Sequence, residues 1–306
     1  MLKTVQQQTI QQNATAGMLL MIAGMAILPG LDACAKWLGQ TLPASQVSAG
    51  RFLIQMGLLT PLLYVMGRRL YWHLFSASEL ARGILLALAT WLFFLALKSL
   101  PMAEAISIFF VEPMILTLLA AVMLGEKIRR RRITAIIIGF CGAIIVIQPS
   151  FDLFGWPALL PLGTAFTFAL YMIITRKVAQ QKHPVEAQIA MSIYALLTIT
   201  ILSLFNQATG IEATLWRLPN QTEILVIILL GTIATAGHLM VVFALQRADA
   251  GMLAPFQYLE VVVASLLGFL IFGDVPKTST IFGVAIIIGS GLYLIHRERL
   301  ADQSDR

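Results

Sequence analysis

Ten apolar stretches of about 18 to 24 residues follow one another along this chain, separated by short clusters of charge. They lie at 17–38, 45–66, 80–98, 103–124, 132–149, 155–175, 186–206, 222–244, 250–272 and 278–296. A helix needs ~20 residues to cross the hydrocarbon of a bilayer. In lipid every backbone polar group must be bonded within the chain, and these stretches lack the ~10-residue polar alternation of barrel strands, so helices remain. Composition agrees: 58% of the 306 residues are hydrophobic and 12% charged, with a mean hydropathy of +0.85, against roughly 25% charged in soluble domains. The expected fold is an all-α membrane protein with ten transmembrane helices.

A net charge of +6 would suit a nucleic-acid binder, but the placement of the cations excludes that partner. With the N-terminus inside, sixteen of the 21 Lys and Arg fall on the cytoplasmic side, Lys98, Arg217 and Lys277 fall outside, and Lys36 and Arg51 lie within helices. This is the positive-inside pattern of an even number of spans with both termini cytoplasmic. The basic run at 129–132 reads as an orientation anchor. Residues 1–16 are polar and Gln-rich, so a cytoplasmic tail is expected ahead of a retained first helix rather than a cleaved signal. Residues 297–306 form a second cytoplasmic tail. Cys34 and Cys141 fall within helices without metal-ligand spacing and read as packing residues.

Shifting the sequence by 148 residues superposes Glu112 on Glu260 and Gly125-Glu126 on Gly273-Asp274, together with Ala96-Leu97 on Ala244-Leu245. Two units result, 17–149 and 150–296. Each holds five spans, an odd number, so equivalent helices run in opposite directions. Inverted repeats of this kind place binding sites near mid-bilayer at the repeat interface and permit one site to face either side in turn.

The polar residues inside the spans are few. Asp32 and Lys36 are four apart on one face of the first helix, next to a Pro29-Gly30 pair expected to break it, and Arg51 lies at similar depth on the second, so the three are expected to cluster. An ionised carboxylate at mid-bilayer costs at least about 2.5 to 3.5 kcal/mol and is functional by default, which marks Glu112 and Glu260. Pro113 and Pro255 are expected to kink their helices beside these acids. Arg51 is the candidate partner of Glu112, and His238 that of Glu260. Either acid could exchange protons, making protons a candidate coupling ion. Trp91, Tyr171, Tyr258, Phe109 and Phe110 could stack on a planar or cationic substrate. Ala135, Gly139 and Ala143, at spacing four, permit close helix contact within or between subunits, so a homodimer is a candidate.

No GxxxxGK phosphate loop, HExxH zinc site or GxGxxG dinucleotide motif is present. No cofactor is expected, and a gradient is the energy source. The residues that organise the chain are Asp32-Ala-Cys-Ala-Lys36, Phe109-Phe-Val-Glu-Pro113, Gly125-Glu126, Gly139-x-x-Gly142, Gln257-Tyr-Leu-Glu260, Gly273-Asp274 and Gly289-Ser-Gly291. In these the chain resembles the drug/metabolite transporter superfamily, each half resembling an EamA module, over residues 17 to 296. The pattern is most similar to the S-adenosylmethionine-uptake-like branch. The resemblance implies a bacterial inner-membrane carrier with a cavity walled by helices one, three, four, six, eight and nine. Relatives export amino acids or take up compounds such as S-adenosylmethionine, riboflavin or choline. Helix six has an apolar residue where helix one has Asp32, so the cavity should be asymmetric.

The expected function is therefore secondary active transport, by alternating access, of a small polar or zwitterionic metabolite, amino-acid-like in character. Glu112 and Glu260 would bind its cationic part and Arg51 a carboxylate. The alternatives are a passive channel and a membrane-embedded enzyme acting on lipids. The inverted repeat argues against the enzyme, since catalysis needs no two-sided access and no nucleophile or metal motif accompanies the acids.

Overall fold

Each apolar stretch folds as helix because the medium leaves its backbone no other partner. A computed structural model describes residues 2–68, 76–124, 130–178, 183–209, 215–247, 253 and 256–304. Its helices are α1 (Leu2–Leu38), α2 (Ala44–Val65), α3 (Ala77–Leu97), α4 (Met102–Phe109), α5 (Glu112–Leu124), α6 (Arg130–Phe154), α7 (Leu160–Val178), α8 (Pro184–Thr209), α9 (Gln221–Arg247), α10 (Leu259–Phe272) and α11 (Thr278–Ser304). A short 3-10 turn, Trp156–Leu159, leads into α7. No strand occurs among the described residues. Seven helical stretches are long and apolar enough to cross a membrane, α4 and α5 counting as one. The shorter apolar helices α10 and α11, and α2 with its buried Gln46, Ser48, Arg51 and Gln55, complete ten spans. The Gly125-Glu126 turn, Arg129 of the basic run and Pro255 lie outside the described residues.

Three features of the helices bear on the expectations above. α1 begins at Leu2 and α11 continues to Ser304, so most of both expected tails is helical; glutamine, arginine and leucine are good helix formers. Pro29 and Gly30 do not open α1, which runs through them. A proline removes one backbone bond, and the packed neighbour holds the helix in line: a Cβ on Gly30 would stand 3.3 Å from Ile233 of α9. Span four, by contrast, is interrupted. The Phe110 N–H bonds the Ile106 carbonyl at 3.0 Å and the chain turns at Phe110-Val111 before α5 begins. Pro113 has no N–H to offer the Phe109 carbonyl, so one backbone bond is missing at this turn.

Packing between helices has the symmetry of the repeat. Numbering the spans one to ten and exchanging each with the one five places on converts the α1–α9 contact into α7–α3, α3–α8 into α9–α2, and α1–α10 into α7–α5, while α2–α8, α6–α11 and α4–α10 map onto themselves. That is the contact pattern of a two-fold axis relating two halves. With five spans in each, the axis relates helices of opposite direction. The bundle is thus two inverted five-helix units, interleaved rather than side by side.

Small residues set the closest approaches. A Cβ on Gly283 of α11 would meet Val146 at 2.4 Å and the Gly142 carbonyl at 2.8 Å, and one on Gly139 of α6 would meet Met114 at 2.5 Å and Ser290 at 2.8 Å. The small-residue stripe on α6 therefore seats α11 of the same chain. Gly283→Leu is expected to wedge α6 from α11 and cost about 1–3 kcal/mol. Thermal unfolding in detergent checks this, and an unchanged unfolding temperature would show that the contact is not tight.

Candidate functional site

A cavity of about 230 Å³ lies at the middle of the bundle, where the two halves interleave. Its charged and imidazole groups, with Thr90, are Asp32 from α1, Arg51 from α2, Thr90 from α3, Glu112 from α5, His238 from α9 and Glu260 from α10. Gln257, Pro113 and Thr164 complete that part of the wall. The helices involved are those of spans one, three, four, six, eight and nine, joined by span two through Arg51. The break between α4 and α5 brings Phe109, Phe110, Glu112 and Pro113 to the cavity together. Positions i, i+1, i+3 and i+4 fall within about 160° of a helix's circumference, so the four share one side across the break.

Arg51 is 5% exposed. Its Nη1 donates to Thr90 Oγ1 at 2.6 Å, its Nη2 lies 3.3 Å from His238 Nε2, and its guanidinium stands 5.1 Å from the centre of the Phe52 ring. His238 Nδ1 sits 2.7 Å from the Ala234 carbonyl. A carbonyl only accepts, so Nδ1 carries the proton and Nε2 accepts from Arg51. Arg51, expected beside Glu112, and His238, expected beside Glu260, bond each other. Backbone capture of Nδ1 turns the ring's remaining lone pair toward α2 rather than α10.

Asp32 and Glu260 interact electrostatically with each other, and Asp32 also with Arg51, yet neither acid has a hydrogen bond or ion pair among the described residues. Three carboxylates thus face one guanidinium. Part of the same wall is aromatic. Phe109 packs edge-on against Phe93 at 5.9 Å, Phe168 at 5.6 Å and Phe110 at 6.0 Å between ring centres.

Four of the residues singled out from sequence stand outside this lining. Lys36, expected beside Asp32 and Arg51, reaches along α1 to the end of the bundle where α1 finishes. There it pairs with Asp274 and donates to the Leu100 carbonyl at 3.2 Å. Asp274 also accepts the Met102 N–H at the start of α4, at 3.2 Å. Gly273, at φ 70°, ends α10 in a left-handed cap that delivers Asp274 to this position. Trp91 is buried in the core. Tyr171 lies beneath the Arg82 guanidinium at 5.5 Å and beside Phe168 at 5.4 Å. Tyr258 supports Phe110 at 5.3 Å and has its hydroxyl over Gly291, where a Cβ would collide with it. These aromatic rings form a layer behind the cavity wall.

Sequence reasoning missed Thr90, Phe93 and Phe168 in the lining. It also missed two polar clusters that tie helix ends. At the end of the bundle where α1 finishes, Glu223 accepts Arg217 at 2.5 and 2.9 Å and Thr41 at 2.7 Å. At the opposite end Arg82 donates to Glu79 at 2.7 Å and to Thr175 at 3.0 Å. In each case a glutamate in the first turn of one helix and an arginine bind a threonine near the C-terminal end of another, and the repeat exchange maps α3–α7 onto α9–α1. The signal in the sequence was faint: Glu79 and Arg82 stand three apart, one helical turn, near the start of a span.

Comparison with known proteins follows the same lines. A protein named S-adenosylmethionine uptake transporter from Rickettsia bellii (strain RML369-C) is 28% identical over 272 residues, covering 88% of this chain and 90% of that protein. A protein named riboflavin transporter from Vibrio cholerae serotype O1 is 29% identical over 273 residues, covering 87% of each. One solved structure, described only as the crystal structure of a protein, superposes with a TM-score of 0.61 at 19% identity over 92% of this chain and 98% of that one, a likeness of fold. The model of the EamA-like transporter family matches residues 15–148 and again 155–296. This chain belongs to the EamA-like transporter family and carries its module twice.

Proposed function

We propose that this protein is a secondary active transporter that moves a small zwitterionic metabolite with a cationic group, amino-acid-like in character, by alternating access. One observation carries the reading: three carboxylates and one guanidinium converge on an aromatic-walled cavity where the inverted halves meet. Buried charge of that kind is costly in a bundle unless a ligand or partner compensates it. Asp32, Glu112 and Glu260 would hold the cationic part, and Arg51 a carboxylate. Phe109 and its neighbours would cover a planar or cationic body. The acids exceed the arginine, so a ligand with more positive than negative groups, or a co-bound proton, balances the site. The relative named for S-adenosylmethionine, a sulfonium that also bears an amine and a carboxylate, fits this charge pattern. The proposed setting is the bacterial inner membrane with both termini cytoplasmic, the side favoured by the cation bias.

Counterflow in proteoliposomes tests the proposal. Vesicles preloaded with unlabelled S-adenosylmethionine, arginine or lysine are expected to accumulate the labelled form transiently and saturably. An imposed pH gradient is expected to change the rate if protons couple to transport. Flux that never saturates and shows no counterflow would make the protein a channel. A second reading, transport of a planar uncharged molecule such as the riboflavin of the Vibrio cholerae relative's name, is favoured by the phenylalanine wall. Labelled riboflavin in the same assay separates the two.

A further inference from the structure

Arg51 is the one lysine or arginine in the cavity lining among the described residues, and what aims it lies on two other helices. A guanidinium has five N–H donors in a rigid plane, so two bonds at different nitrogens fix both its position and its tilt. Thr90 on α3 takes a bond from Nη1, and His238 on α9 takes one from Nη2. His238 is itself locked by the Ala234 carbonyl one turn back, which settles which ring nitrogen accepts. Asp32 acts on Arg51 through space without a hydrogen bond between the two. The Nε donor is buried and has no partner among the described residues, an arrangement that is expensive until an acceptor arrives. The acids occupy α1, α5 and α10, whereas the arginine and its supports occupy α2, α3 and α9. The cavity's guanidinium is thus held by one set of helices and its carboxylates by another.

We propose that His238, assisted by Thr90, is a positioning residue that presents Arg51 to a ligand carboxylate, so that the site selects a ligand bearing both a carboxylate and a cationic group over the same molecule without its carboxylate. The inference rests on the function proposed above. His238 and Thr90 then determine specificity without supplying charge. A side chain that still accepts a hydrogen bond in either place preserves the preference, and an apolar one of similar size weakens it.

The experiment is binding to the purified full-length protein in nanodiscs with three matched pairs: lysine and cadaverine, arginine and agmatine, S-adenosylmethionine and its decarboxylated form. Wild type is expected to bind the carboxylate-bearing member of at least one pair more tightly. His238→Leu and Thr90→Val are expected to shrink that preference about tenfold, equivalent to ~1.4 kcal/mol, the carboxylate-bearing member losing more affinity than the decarboxylated one. His238→Asn and Thr90→Ser, which keep an acceptor, are expected to retain most of it. Should His238→Leu fail to fold, Thr90→Val carries the same test. Full preference in His238→Leu or Thr90→Val overturns the positioning role, as does full preference in Arg51→Gln. Wild type that binds both members of every pair equally overturns this inference alone. Wild type that binds none of the six overturns the proposed function and this inference with it.

Discussion

Proteoliposomes carrying the Glu112→Gln, Glu260→Gln double variant are expected to lose saturable uptake of a cationic zwitterion by a hundredfold or more. A hydrogen bond to a charged group contributes about 1.5–3 kcal/mol, so each acid that meets the ligand's cation accounts for roughly a tenfold to hundredfold effect. Glutamine keeps the size and hydrogen-bonding capacity of glutamate and removes only the charge. Loss of uptake with an unchanged unfolding temperature therefore identifies electrostatic recognition rather than damage to the bundle. Each single variant is expected to retain part of the activity, since Asp32 and the other glutamate still face the cavity. Asp152→Asn, at the exposed end of α6, serves as the control and is expected to behave as wild type. Uptake by the double variant equal to wild type across lysine, arginine and S-adenosylmethionine would remove the acids from recognition.

A second large effect concerns stability. Glu79 is completely buried and Arg82 is 5% exposed, paired at 2.7 Å across one helical turn of α3. Removing one member of such a pair strands the other charge, which costs about 3–5 kcal/mol. Glu79→Ala is expected to show that loss in unfolding measurements, because Thr175 and the Tyr171 ring alone cannot neutralise the guanidinium. Replacing both, as Glu79→Leu with Arg82→Met, removes the stranded charge and is expected to restore most of the stability. A single variant within about 1 kcal/mol of wild type would show that water reaches Arg82 and that the pair is a surface one. Both substitutions lie away from the cavity lining, so binding by the double variant should survive.

Much of the architecture was legible because a bilayer permits so few solutions. Span length, the absence of backbone partners in lipid and the cation bias are properties of single stretches. The inverted repeat followed from counting spans, and the depth of Glu112 and Glu260 from their position within them. The break beside Glu112 was foreshadowed by Pro113, whereas Pro29 gave the same signal and left α1 intact. Proline removes one bond in either case; whether the helix opens is decided by what packs against it.

The sequence by itself determined that this is a ten-span helical membrane protein of two inverted units with a glutamate at the matching repeat position in each. Only the tertiary structure decided which polar groups share a chamber and which hold helix ends together. Lys36 and Asp32 occupy one face of α1, yet Lys36 finds Asp274, 238 residues away, while Asp32 remains in the cavity. Arg51 finds His238, 187 residues away, rather than either glutamate. Position along a helix gives depth and face. The partner depends on the rotation and crossing of neighbouring helices, which is set by glycine contacts and side-chain packing between the two halves.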